Sequence, residues 1–290
     1  MLQRFIYILQ IFLLLISAPF SFAEYSLYES FKVVVARDVR DDYFRFIAGR
    51  DPLSVTDFSG AFSRRDVVEL VLLQQALHLG GNKYPYQLIS VDSDHTTIDY
   101  LNKGAVLLTG TSVWQSMFTM QNEIYFSIPI IKNGQFEAGL YTRPDNTEML
   151  KVKNKQQVRN FSAISNRIWT ADWLTLQSLK ISDVKHSDKW GSMVDLVHSG
   201  HIDFLLAPFQ STEDLSLTYN GVRLIPVPNL KVALHGTRHF AIFKKSKHSK
   251  RILQQLNSGL TQLQARGIID KAYRESGFFN DQVKNWKRLN

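Results

Sequence analysis

Four groups of residues have the types and spacing that could bind a small molecule. Arg167, Trp169, Thr170 and Trp173 stand where a helical pattern begins. Free backbone N–H groups at a helix start suit an anion, and Arg167 adds a charge. Thr109, Thr111 and Trp114 follow an apolar run and offer two hydroxyls and a ring. Phe209, with Gln210 beside it, follows a second apolar run. Tyr43 opens an aromatic stretch, Tyr43-Phe44-Arg45-Phe46, just past the first strand. Aromatic walls with a few polar groups are the usual lining of a ligand pocket. The alternative, that these rings are core, stays open for each.

Metal and covalent chemistry find less support. His198-x-x-His201 and His235-x-x-x-His239 have ligand-like spacings, yet each is interrupted by glycine and lacks a third ligand. The chain has no cysteine, which removes thiolate nucleophiles, thiolate metal sites and disulfides together. No nucleophile elbow, phosphate-binding loop or zinc-protease motif occurs. Asp41-Asp42 reads as a solvated pair. Arg238-His239 holds an imidazole that could respond to pH. The expectation is binding without catalysis, and no cofactor.

The elements that must position these residues follow from hydrophobic periodicity. Phe31–Ala36 reads as a buried strand, Arg37–Asp42 as a charged loop, and Arg65–Leu79 as a helix stopped by Gly80-Gly81. Strands are expected at Tyr86–Val91, Ala105–Leu108, Phe136–Tyr141, Phe161–Ile164, Phe204–Ala207 and Gly221–Val227. Helices are expected at 96–103, 151–158, from Trp169 with Thr170 as N-cap, 191–199, 251–266 and 269–276. Two phrases are alike: Ile98 to Gly110 and Met193 to Phe209 each carry an Asp five residues before a Gly, then an apolar run. Each would be a helix feeding a central parallel strand, one per lobe, with ligand bound beyond the strands' carboxyl ends.

The 290 residues suffice for two lobes with real cores. Arg4, then the apolar stretch from Phe5 to Ile16, Pro19 and the small residues of Ser21-Phe22-Ala23, read as a secretory signal too short to span a bilayer. The mature chain is expected to begin near Glu24, in the periplasm. The net charge is +8, and its densest run is Lys244, Lys245, Lys247, Lys250 and Arg251. An exported chain seldom meets nucleic acid, so no nucleic-acid partner is expected.

Three passages, in order, resemble the periplasmic solute-binding proteins of the polar amino-acid type, family 3. Tyr125-Phe126-Ser127-Ile128-Pro129 resembles that family's Phe-Ser-x-Pro-Tyr. Ser199-Gly200-His201-Ile202-Asp203-Phe204 resembles its Gly-Arg-x-Asp-Ala turn. Gly259 to Tyr273 resembles its closing helix pair around Gly267. The resemblance implies an α/β, two-lobed periplasmic-binding-protein fold of type II, each lobe a mainly parallel sheet flanked by helices, joined by two crossing segments. The division expected is residues 1–23 signal, 24–141 first lobe, 142–236 second lobe and 237–290 first lobe again, with crossings near Leu140–Asp145 and Gly236–Phe243. It implies a monomer that captures a small-molecule ligand by hinge closure for an ABC permease. A membrane sensor is the alternative partner, and a dehydratase-like enzyme a third reading. The family's carboxylate-binding Arg is missing from Thr111–Met120, and its amine-binding Asp is replaced at about Pro208. A small polar or anionic solute is expected instead of a free α-amino acid.

Overall fold

A computed structural model describes residues 30–118 and 121–290. The signal expected over residues 1–23 lies outside them. Among the described residues, no helix is long and apolar enough to cross a membrane.

The first lobe holds β1 (Phe31–Ala36), α1 (Arg37–Ile47), α2 (Arg65–Leu79), β2 (Tyr86–Val91), α3 (Asp94–Asn102), β3 (Leu108–Thr109), β4 (Val113–Trp114) and β5 (Ile124–Phe126). The second holds β6 (Phe136–Thr142), α4 (Thr147–Leu150), α5 (Lys155–Val158), β7 (Ala163–Ser165), α6 (Thr170–Leu179), β8 (Val184–His186), α7 (Trp190–His198), β9 (Phe204–Pro208), β10 (Leu217–Tyr219), β11 (Val222–Pro226) and β12 (Leu230–Leu234). The chain then returns through β13 (Arg238–His239) and β14 (Ala241–Phe243) to α8 (Ser249–Ala265) and α9 (Ile268–Glu275), and ends in β15 (Lys287–Arg288).

One sheet runs β2-β1-β3-β14-β5 and the other β10-β11-β6-β9-β7-β8. Each has a parallel part, β2-β1-β3 and β9-β7-β8, extended by antiparallel strands. The two similar phrases become α3–β3 and α7–β9, and both strands lie inside their sheets. Gly200 ends α7 at φ +77°, and a β-carbon there would strike the Arg143 guanidinium.

Arg37–Asp42, expected as a loop, is the first half of α1. Val39, Tyr43, Phe46 and Ile47 recur at helical spacing and are all buried. The charges occupy the outer face and mask that stripe. Helix α6 has Trp169, not Thr170, as its N-cap.

The crossings also differ from expectation. Strand β6 pairs wholly within the second sheet, so the first passage lies between Phe126 and Phe136, before Leu140. It runs beside the return passage: Ile131 and Arg238 pair as a bridge, and Ser127 N–H donates to Phe240 O at 3.0 Å. A third passage was not legible. After α9 the tail leaves the first lobe and β15 pairs with β12, so residues 276–290 do not all belong to the first lobe. Phe209, Leu215, Val283 and Trp286 form a small cluster under this tail.

Candidate functional site

The parallel strands point their carboxyl ends at the space between the sheets, where ligands bind in open α/β sheets. Beyond Val91 stands the first turn of α3, which Ser93 caps and which carries Asp94. Beyond Ser165 stands the start of α6. Trp169, at that start, donates its indole N–H to Asp94 Oδ2 at 2.5 Å, linking the lobes directly.

A network of charged groups fills the floor between the lobes. Arg238, on the return passage, is buried, with its guanidinium 4.9 Å from the Trp114 ring centre and 5.8 Å from that of Phe136. Its Nε donates to Ser112 Oγ at 3.0 Å, and Nη2 donates to Ser112 O. Glu69, fully buried on α2, accepts from Ser112 N–H at 2.7 Å, Ser112 Oγ at 2.8 Å, Arg65 Nη1 at 3.1 Å and Tyr273 Oη at 3.0 Å. Four donors on one carboxylate explain how a helix that is buried along most of its length tolerates a charge.

Burial pushes the Arg238 guanidinium down to about 10, helped by the nearby Arg65 and opposed by Glu69, Asp66 and Asp94. Burial pushes the Asp172 carboxyl, in the first turn of α6, up to about 7; Arg238 and Arg65 oppose this and Asp94 adds to it. Burial raises Asp94 as well, against its bond from Trp169. Asp66 sits lower than usual despite burial, held by Arg65, Arg64 and Arg238. The floor therefore combines guanidinium groups with Asp172, pushed up to about 7, and Asp94, raised above the usual carboxyl range.

Two buried polar atoms at the carboxyl end of β7 have no partner: Ser165 Oγ and Asn166 Nδ2. Asn166 uses only its Oδ1, which accepts from Ile168 N–H at 3.1 Å. A buried donor left unmade costs about 1–3 kcal/mol, so a water or another polar group is favoured at this place.

The expected site residues fall into three groups. Trp169 and Thr170 stand at the start of α6, where Trp169 reaches Asp94 of the other lobe, and Trp114 lies under the Arg238 guanidinium. Arg167 and Trp173 lie on the outer side of the α6 start, with Arg167 exposed and its guanidinium 5.6 Å from the Trp173 ring centre. Thr111 is partly exposed on the loop between β3 and β4. Tyr43, Thr109 and Phe209 have structural partners. Tyr43 is buried and bonds Gln74, Thr109 Oγ1 accepts from Ala241 N–H at 3.0 Å, and Phe209 packs between Tyr141 and Trp286. The sequence reading missed Arg65, Glu69, Asp94, Ser112 and Asp172, and took Arg238 only as the neighbour of a hinge histidine. The legible trace was a charge inside an apolar helical run: Glu69 between Val68 and Leu70.

His239 is buried and bonded through both ring nitrogens. Its Nδ1 faces Ser127 O at 2.6 Å and so carries the proton, leaving Nε2 to accept from Thr237 Oγ1 at 2.7 Å. Burial lowers its proton affinity. Among the described residues, no group of three potential ligands could hold a metal. Two cavities lie outside the junction. One, of about 370 Å³, is under the C-terminal tail and includes Phe209 and Lys231; the other, of about 400 Å³, is behind α6 and includes His235 and Asn290.

No protein-family model and no curated protein matches the chain. Solved structures do. The periplasmic VFT2 domain of Bordetella pertussis BvgS is 17% identical, covers 84% of this chain and 92% of its own length, and has a TM-score of 0.56. An ancestral amino acid-binding protein, a precursor of cyclohexadienyl dehydratase, is 16% identical over 85% and 95% at 0.53. An ancestral arginine-binding protein bound to arginine is 13% identical over 87% and 99% at 0.52. At these identities the likeness is one of fold, and the chain has the two-lobed, type II periplasmic-binding-protein architecture that its sequence resembles.

Proposed function

We propose that this chain is a periplasmic, monomeric binding module that closes its lobes over a small polar or anionic solute and presents it to an ABC importer. The observation that carries this reading is the position of Arg238. It lies on the return passage between the lobes, and its charge acts on both Asp94 of the first lobe and Asp172 at the start of α6 in the second. The guanidinium that the family's pattern has, and that Thr111–Met120 of this chain lacks, would come here from the return passage as Arg238. A solute with an anionic end would meet Arg238 and the N–H groups of α6. A donor group on the solute would meet Asp94 or Asp172.

The partner could instead be a membrane sensor. The Trp169–Asp94 bond joins the lobes directly, and a module that signals by opening would use such a latch. We read the chain as a binder and not an enzyme, because its sequence carries no nucleophile elbow, phosphate-binding loop or zinc-protease motif.

A thermal-shift screen of the protein against small anionic and zwitterionic metabolites tests the reading. A solute at a hundred times its dissociation constant should stabilise by about 2.7 kcal/mol. Arg238→Lys, which keeps charge but loses the planar donor pair, should abolish the shift. A solute that shifts wild type and variant equally would place binding elsewhere, and turnover of a bound solute would make the chain an enzyme.

A further inference from the structure

A guanidinium carries five N–H donors in a planar fork, and Ser112 occupies one side of the fork of Arg238. Nε donates to Ser112 Oγ at 3.0 Å, and Nη2 donates to Ser112 O. Nη1 makes no hydrogen bond among the described residues. The outer edge, formed by Nη1 and the second hydrogen of Nη2, is therefore uncommitted. The group also lies over the Trp114 ring, 4.9 Å from its centre, which restricts its rotation.

Ser112 is in turn held by Glu69. It lies in the turn between β3 and β4, and its backbone N–H donates to Glu69 Oε2 at 2.7 Å. Its hydroxyl donates to Glu69 Oε1 at 2.8 Å. A hydroxyl has one proton. With that proton given to Glu69, only lone pairs are left for Arg238 Nε. The carboxylate thus sets the direction of the hydroxyl, and the hydroxyl sets the plane of the guanidinium. Glu69 is itself fixed: it is fully buried on α2, and Arg65 Nη1 at 3.1 Å and Tyr273 Oη at 3.0 Å also donate to Oε1. Neutralising Arg65 would not by itself require the two bonds to Ser112.

We propose that Glu69 is a positioning residue for solute capture. Through Ser112 it turns Arg238 so that the Nη1–Nη2 edge is the one left for a solute, and such an edge grips an anion through two oxygens. The inference rests on the reading of Arg238 as the anion contact. It adds that the affinity is set in advance by a buried carboxylate that never touches the solute, because a pre-organised donor loses less freedom on binding.

The test reads the Arg238 Nε–H in proton–nitrogen correlation spectra of the isotope-labelled chain. Its signal is the one lost in Arg238→Lys. In wild type it should exchange slowly with water, since the group is buried and bonded. In Glu69→Gln it should exchange about tenfold faster or more, and the dissociation constant for acetate, the probe anion, should rise by a similar factor. Gly259→Ala, which disturbs α2 at Ala76 and not at Glu69, should also melt lower, yet keep both the signal and the acetate affinity. Losses that follow melting temperature in both variants would make Glu69 merely structural and overturn the proposal. So would an unmoved signal in Glu69→Gln, or a wild-type signal that exchanges as fast as those of exposed arginines. If Glu69→Gln does not fold, Ser112→Ala is read in its place. It removes only the hydroxyl between Glu69 and Nε, and an unmoved signal there is equally decisive against the proposal. Acetate that leaves the wild-type signal unshifted would overturn the reading of Arg238 as the anion contact, and with it the role in capture. The spectra without acetate would still report whether Glu69 fixes the guanidinium, so the two failures are distinguishable.

Discussion

Trp169 and Asp94 belong to different lobes, and the indole N–H of one donates to the carboxylate of the other. Each stands in the opening turn of a helix, so both helix starts point at the junction. The bond exists only when the lobes are together. A hydrogen bond to a charged acceptor is worth about 1.5–3 kcal/mol. Replacing Trp169 by Phe keeps a ring and removes the donor, and should shift the closed-to-open ratio about tenfold or more toward open. Inter-lobe energy transfer between dyes on the two lobes would measure this. An unchanged distance distribution would mean that the hinge aromatics, not this bond, hold the lobes.

The fold was legible where one physical signal dominated. Helix α2 carries apolar residues almost continuously and is bounded by two glycines, so its limits are read directly from Arg65–Leu79. Helix α1 was not legible because its six charged residues outnumber its stripe of four buried ones. The site was less legible for a different reason. Arg65, Ser112, Asp172 and Arg238 are far apart in the chain and meet only through the crossing passages, so no local spacing announces them. The guanidinium beside Thr111–Met120 comes from a distant strand, since Arg238 on the return passage bonds Ser112. Trp114 and Trp169 stand out in the sequence because an aromatic just beyond a strand or at a helix start carries its own positional meaning.

Helices α2 and α8 touch through glycine. A β-carbon on Gly259 would lie 1.8 Å from Ala76 O, and one on Gly80 1.8 Å from Gln255 O. Alanine at a helix interior normally stabilises by about 1 kcal/mol relative to glycine. Here Gly259→Ala should destabilise by about 1–3 kcal/mol instead, because the helices must separate. Urea denaturation gives the sign, and a stabilised variant would contradict the close approach.

The C-terminal tail should act as a fastening on the second lobe. Buried Lys231 donates to Glu137 Oε2 at 2.8 Å and to Val283 O at 2.8 Å, and Asn290 pairs with both polar groups of the Ala233 backbone. Replacing Lys231 by Met leaves Val283 O without its donor and should cost about 1–3 kcal/mol. Hydrogen exchange should then speed up in residues 283–290 and leave α2 protected. Uniform acceleration across both lobes would show that the tail is not a separate unit.

The last expectation concerns protons. Asp172 titrates at about 7 in the folded chain, raised by burial, against about 3.9 when unfolded. Between these values the folded state holds a proton that the unfolded state has released. Stability from this group is therefore greatest near the unfolded value, falls as pH rises toward the folded one, and is flat above it. Asp94 moves in the same sense. His239 moves oppositely, since its lowered affinity makes stability rise with pH through its range. The difference between wild type and Asp172→Asn removes these background groups. Asparagine mimics the protonated carboxyl, so the two proteins should be alike in stability near pH 4. The variant should become the more stable by up to about 1.4 kcal/mol per pH unit toward pH 7. Calorimetry across that range measures the gap, and parallel curves would show that the Asp172 carboxyl is as well solvated between the closed lobes as in the unfolded chain.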